Sequence, residues 1–137
     1  MLSETPLIQG FVNYLHTLTP QASGRVAQFV ADTTRMRTPE AEGQGPQAIA
    51  AIYAESLGNA KSAIVRVQSK IDGPDGHTVF LRWDRLLTFE NGQKQTLSGI
   101  TEIMVGANGK IASITEYWDS VPETHQRRGI FAKLFNR

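Results

Sequence analysis

Three turn signals cut the second half of the chain into four strand-like runs, and few folds accommodate that spacing. Residues 72–76 (Asp-Gly-Pro-Asp-Gly), 90–92 (Glu-Asn-Gly) and 107–109 (Ala-Asn-Gly) each put a glycine directly after Asp or Asn. This is the chemistry that hairpin turns demand, because Gly, Asn and Asp tolerate positive φ. Between the turns, residues 60–71, 77–89, 96–105 and 110–119 read as strands, with Ala63, Val65 and Val67 sharing one face of the first. Consecutive hairpins predict an antiparallel meander of four strands in sequence order.

The first half has a helical period instead. Thr5-Pro6 reads as a cap followed by proline in the first turn, and Leu7, Phe11, Tyr14, Leu15 and Leu18 then form one stripe. Thr19-Pro20 closes that helix. Ser23 can cap a short second helix carrying Val26, Phe29 and Val30. Residues 31–39 predict a brief extended segment stopped by Pro39, and residues 40–45 a polar loop. Pro46 opens a third helix through Ile49, Ile52, Tyr53 and Leu57, which Gly58 ends. The apolar face of the meander has to be buried, and these helices are the available cover. The expectation is an α+β fold of three N-terminal helices packed on a strongly curved antiparallel sheet.

At 137 residues the chain forms a single domain, 1–137, able to bury roughly two-thirds of its unfolded surface. A net charge of +1 gives no broad footprint for nucleic acid, and none is expected as a partner. Zero cysteines exclude a disulfide framework, a thiol nucleophile and a cysteine zinc site, and suit a reducing cytoplasm. His16, His77 and His125 share no ligand-like spacing, so no metal site is expected. The N-terminus lacks the basic and apolar regions of a secretory signal, and no apolar run reaches the length of a membrane span. Residues 122–137 mix Ile130, Phe131, Leu134 and Phe135 with basic side chains. With Gly129 and so short a length, a lid or rim helix is expected there rather than membrane contact.

Within the second strand, residues 79–87 (Val-Phe-Leu-Arg-Trp-Asp-Arg-Leu-Leu) carry three central charges. Alternation puts Phe80, Arg82, Asp84 and Leu86 on one face and Val79, Leu81, Trp83, Arg85 and Leu87 on the other. Either the Arg82–Asp84 face is solvated and ordinary, or it lines a pocket and is chemistry.

The order helix, helix, short strand, helix, long sheet resembles the nuclear transport factor 2-like superfamily over essentially the whole chain. Phe29-Val-Ala-Asp32 with Pro39, Gly45-Pro46, Asn108-Gly-Lys-Ile111 and Glu116-Tyr-Trp-Asp119 carry the likeness. The resemblance, which takes in SnoaL-like polyketide cyclases, ketosteroid isomerases and limonene epoxide hydrolase, implies a cone enclosing an apolar cavity. It also implies a homodimer through the other sheet face. Against ketosteroid isomerase, Tyr14 stands where a donor would, but the base falls on Thr38 and the oxyanion acid on Thr101. Neither threonine can abstract a carbon-bound proton or replace a neutral carboxylic acid. Against limonene epoxide hydrolase, Arg82-Trp83-Asp84 resembles its Arg-x-Asp and Glu116 falls on its second acid. The residues that hold its water fall on Arg35 and Arg37, or on Met36 and Thr38 if the register differs by one.

That resemblance makes Asp84 the base, Glu116 the acid and Arg82 the organiser of a cofactor-free hydrolase, isomerase or cyclase. Tyr14, Arg35, Arg37, Phe80, Thr101 and Trp118 would contact a small apolar ligand, with Leu86 and Ile114 as further pocket wall. The Trp83 face, too apolar for water, would be covered by a second copy. Whether the site turns over or only binds is left open, and a non-catalytic ligand-binding or dimerisation module of the same fold is the alternative.

Overall fold

The computed structural model describes residues 1–118. Two α-helices and two 3-10 turns flank a six-stranded mixed sheet. Helix α1 (Pro6–His16) starts where the sequence says it should: Thr5 caps it, its side chain accepting from the Ile8 amide, and Pro6 fills the first turn. It buries Ile8, Phe11, Tyr14 and Leu15. The expected second helix is a 3-10 stretch (Ser23–Gln28) in which Ser23 lies inside and bonds back to the Pro20 carbonyl. Helix α2 (Pro46–Leu57) buries Ile49, Ile52, Tyr53 and Leu57 and ends at Gly58, whose φ of +59° suits glycine.

The four meander strands are all present. They are β3 (Ser62–Asp72), β4 (Thr78–Thr88), β5 (Lys94–Val105) and β6 (Ile111–Trp118), paired antiparallel in that order. The extended segment is β1 (Val30–Arg37), and the predicted loop after it contains a three-residue strand, β2 (Glu42–Gln44). The sheet order is β2-β1-β6-β5-β4-β3, with β1 parallel to β6. The sheet is therefore mixed rather than wholly antiparallel. The parallel pairing joins residues about eighty apart, as in Met36 opposite Ile114, which no local turn signal announces.

The core lies between the helices and one sheet face. Val65, Val79, Leu81, Trp83, Leu87, Leu97, Ile103 and Ile114 bury against α1 and α2 residues. Phe11, Tyr14, Phe29 and Tyr53 pack their rings together, Tyr14 and Tyr53 edge-on at 5.5 Å. Trp83, only 4% exposed, thus faces the chain's own helices and not a second copy. The outer face carries Ile64, Ile71, Ile100, Met104 and Tyr117 exposed, alongside Arg66, Arg82 and Asp84. Residues 122–137, for which a lid helix was expected, and His125 lie outside the described residues.

Candidate functional site

The structure separates the expected trio. Arg82 and Asp84 are exposed on the outer face, where Asp84 accepts from Ser98 Oγ at 2.7 Å and Gln68 Nε2 at 3.0 Å. Glu116 lies on the helix-covered face, in register with Thr101 and Leu81 across β5 and β4. The expectation that Arg82, Asp84 and Glu116 share a cavity is therefore corrected. The physical reason is the cost of burial. The Val79, Leu81, Trp83, Leu87 face offers large apolar side chains to the core, whereas turning Arg82 and Asp84 inward would desolvate two charges, at several kcal/mol each. A one-residue change of face exchanges every side chain, so the Arg-x-Asp likeness falls on the wrong side of β4.

The same alternation decides β1. Thr34 and Met36 point inward and are buried, while Arg35 and Arg37 are exposed. Arg35 reaches Gln44 Oε1 at 3.1 Å and Glu42 at 3.8 Å on the neighbouring strand, which occupies it away from the core. Phe80 and Leu86 are half-buried on the outer face, so they are not wall residues either. Tyr14 is buried, and its hydroxyl donates to the Ser23 carbonyl at 2.8 Å, which leaves that proton committed. Thr101 and Trp118 do meet Glu116, and Ile114 shares their face.

What the inner face builds is a cavity of about 400 Å³ at one end of the sheet. The C-terminal half of α2 (Ile52, Glu55, Ser56, Leu57) forms one side. Arg85, Leu87, Leu97, Glu116 and Trp118 form the other, and Thr38, Glu40 and Ala41 close the edge. A second, smaller space of about 20 Å³ shares part of its wall with it and is lined by Tyr53, Ser56, Val65, Trp83, Arg85 and Glu116, with Leu15 and Leu18. Glu116 and Arg85 border both spaces.

Glu116 is held by neighbours from its own and the adjacent strand. The Trp118 indole N–H donates to Oε1 at 3.1 Å, and the Thr101 hydroxyl to Oε2 at 3.4 Å. Trp83 Nε1 donates to the Thr101 hydroxyl at 2.8 Å, fixing that hydroxyl's orientation. Gly99 makes room for this. It sits opposite Trp83, and a Cβ there would lie 2.5 Å from Trp83 Cζ2. The Glu116 residue is half-buried, but its carboxyl is enclosed. Burial pushes its pKa above the usual carboxylate value of 4.5, and the Trp118, Arg85, Thr101 and Tyr53 interactions hold it back only in part.

Arg85 stands apart from the other charges of β4. It is the one charged residue on the inner face of that strand, and among the described residues it makes no hydrogen bond or ion pair, its Nε being buried without a partner. Burial lowers its pKa, with Glu116 and, more weakly, Glu40 pulling the other way. The Tyr53 hydroxyl is also buried. It falls outside strict hydrogen-bond geometry, yet Glu116 acts on it both through its charge and as a loose hydrogen-bond acceptor; burial above all raises its pKa well above 10.0. Sequence reasoning passed over both residues as site members, since Tyr53 read as helix core. A signal for Arg85 did exist: it is the lone charge on an otherwise apolar strand face.

Among the described residues no group of three His, Asp or Glu side chains could hold a metal ion, and no helix is long and apolar enough to cross a membrane.

Comparison with known proteins gives the fold a family. The structure is similar to an NTF2-like protein of unknown function from Exiguobacterium sp. 255-15 at a TM-score of 0.68 and 15% identity, covering 83% of this chain and 98% of that one. It is similar to the Delta 5-3-ketosteroid isomerase from Mycobacterium sp. at 0.63 and 19%, covering 82% and 90%. An LEH-like epoxide hydrolase from M. tuberculosis matches at 0.64 and 16%, covering 96% and 94%. Identities this low speak to fold alone. No curated protein matches the sequence at a significant level. The family model for the SnoaL-like domain matches residues 11–114, from the middle of α1 to Ile114 in β6, and the chain belongs to that family.

Proposed function

We propose that this protein binds a small, largely apolar organic molecule in the cavity beside α2 and moves a proton on it with Glu116. The observation that carries this reading is the Glu116 carboxyl itself. It is buried at a cavity wall, oriented by Trp118 and Thr101, and carries a pKa raised by desolvation. A carboxyl tuned upward is a stronger base when ionised and a ready acid when protonated, which is what proton transfer near neutral pH requires.

Among the described residues Glu116 is the enclosed carboxyl of this cavity, whereas Glu40 and Glu55 are exposed at its mouth. Hydrolysis of an epoxide needs a base for water and an acid for the oxygen at once. Isomerisation needs one group that takes a proton and returns it. The isomerase-type reaction therefore suits this site better than the hydrolase-type one, and Arg82 and Asp84 have no part in it. The structural neighbours include one enzyme of each kind, so the fold accommodates both.

The test is turnover of cyclic β,γ-unsaturated ketones and of epoxides by wild type, Glu116→Gln and Asp84→Asn, followed by NMR in deuterated water. The expectation is isomerisation with wild type and Asp84→Asn at equal rates, and a loss of about 10²–10⁴-fold with Glu116→Gln. Equal rates for Glu116→Gln would remove Glu116 from the chemistry. Saturable binding without turnover would leave the non-catalytic ligand-binding reading.

A second copy would cover the outer sheet face rather than the Trp83 face. Exposed Ile64, Ile100, Met104 and Tyr117 lie there among both signs of charge, Arg66 and Arg82 with Asp84 and Glu102, so a two-fold partner can match opposite charges. Light scattering on wild type and Ile100→Glu tests it, and a monomeric wild type would end it.

A further inference from the structure

We propose that Arg85, together with the Tyr53 hydroxyl, is an anion anchor, so that this cavity prefers small organic acids over neutral molecules of the same shape. The apolar body of the acid would fill the larger cavity while a carboxylate oxygen enters the smaller space. This inference rests on the reading that the cavity holds a small molecule.

Three observations carry it. Arg85 is largely enclosed, yet among the described residues it has neither a hydrogen-bond partner nor an ion pair, and its Nε is sealed from solvent. Unpaired buried guanidinium groups are costly and are retained where something pays them back. Secondly, Tyr53 presents a second buried donor to the same space, one that Glu116 engages only loosely and outside strict hydrogen-bond geometry. Thirdly, this space is about 20 Å³, room for a single oxygen-sized group, and shares Ser56, Arg85 and Glu116 with the 400 Å³ cavity. Two buried donors, the Arg85 Nε and the Tyr53 hydroxyl, thus belong to residues that line one small space sharing walls with the larger cavity. A carboxylate satisfies both donors and neutralises the guanidinium, which a ketone or an alcohol cannot do.

The neighbouring carboxyls do not satisfy Arg85. Glu116 lies outside ion-pair distance and is already engaged by Trp118 and Thr101. Glu40 exerts the weaker pull on Arg85 and is exposed, where salt screens it.

The experiment is calorimetric titration of the full chain with benzoate and with benzamide, matched in shape and different in charge. Wild type, Arg85→Met and Arg85→Lys are compared at low ionic strength. The expected result is benzoate binding about tenfold or more tighter than benzamide to wild type, a preference erased in Arg85→Met and reduced in Arg85→Lys. Benzamide affinity should stay the same in all three. A parallel readout is thermal unfolding: benzoate raises the wild-type midpoint and leaves that of Arg85→Met unchanged. Equal affinity for the two probes in wild type, or a benzoate preference surviving in Arg85→Met, overturns the anchor while leaving the cavity reading intact. Binding of neither probe overturns both. If Arg85→Met fails to fold, Arg85→Lys decides alone, and an undiminished benzoate preference there overturns the anchor.

Discussion

The indole nitrogen of Trp83 donates to the Thr101 hydroxyl at 2.8 Å, and Thr101 in turn faces Glu116 Oε2 at 3.4 Å. A hydroxyl that accepts from one side has one proton to give on the other, so Trp83 aims Thr101 at the carboxyl from an adjacent strand. Replacing Thr101 by Val keeps the volume and removes the relay. The Trp83 N–H is then left buried without an acceptor, which costs about 1–3 kcal/mol in chemical denaturation. Loss of a donor to the ionised form also moves the Glu116 pKa further up, which an NMR titration of the carboxyl reads directly. A Glu116 pKa that falls or stays put in Thr101→Val would show that the long Thr101 contact contributes nothing.

The stability of the domain carries a signature of Glu116. Its pKa is raised in the folded state above 4.5, so between these two values the native chain binds more protons than the unfolded one. Stability must then fall as pH rises from about 4.5 through the folded pKa, and level off above it, losing about 1.4 kcal/mol for each unit by which the two values differ. Asp72 and Asp75 act in the opposite sense and at lower pH. Ser3 bonds to Asp72 and the His77 amide bonds to Asp75, lowering both carboxyls below 3.8, so their contribution disappears as acid protonates them. In Glu116→Gln the decline above pH 4.5 should vanish while the acid limb remains. Urea melts across the pH range check this, and an unaltered decline in the variant would assign it to another group.

Gly99 is the position at which β5 yields to the site. A methyl group there would meet Trp83 Cζ2 at 2.5 Å and the Tyr117 carbonyl at 2.9 Å, the second of which is backbone and cannot swing away. Gly99→Ala should therefore cost about 1–3 kcal/mol, as other overpacked interiors do. The indole must tilt, so the Trp83–Thr101 bond lengthens and tryptophan fluorescence shifts. A variant as stable as wild type with unchanged fluorescence would mean that the strand itself moves aside.

Much of this architecture was readable because its signals are local. Thr5-Pro6, Gly58, Asn91-Gly92 and Asn108-Gly109 each act on the backbone within a few residues, and the elements they bound are the observed ones. The parallel pairing of β1 with β6 depends on residues far apart in the chain, and β2 is too short for any period to show. The site was half legible. Glu116, Thr101 and Trp118 do come together, on β5 and β6, where the family resemblance put them. On β4 the charge pair of Arg82 and Asp84 drew attention away from Arg85, although counting apolar neighbours on each face already favoured Trp83 as the buried one.

Arg82 and Asp84 then make the sharpest control. Asp84 is exposed, and its partners Ser98 and Gln68 are exposed as well, so its hydrogen bonds compete with water at nearly even terms. Asp84→Asn and Arg82→Ala should each change stability by no more than about 0.5 kcal/mol and leave ligand affinity in the cavity untouched. Arg85→Met, one residue past Asp84 and on the opposite face, should by contrast abolish the preference for an anionic ligand. It should also gain stability in the absence of ligand, because an unpaired buried charge gives way to an apolar side chain of similar length. Denaturation and titration of the three variants side by side measure both effects. A loss of binding in Asp84→Asn with none in Arg85→Met would return the chemistry to the outer face of β4.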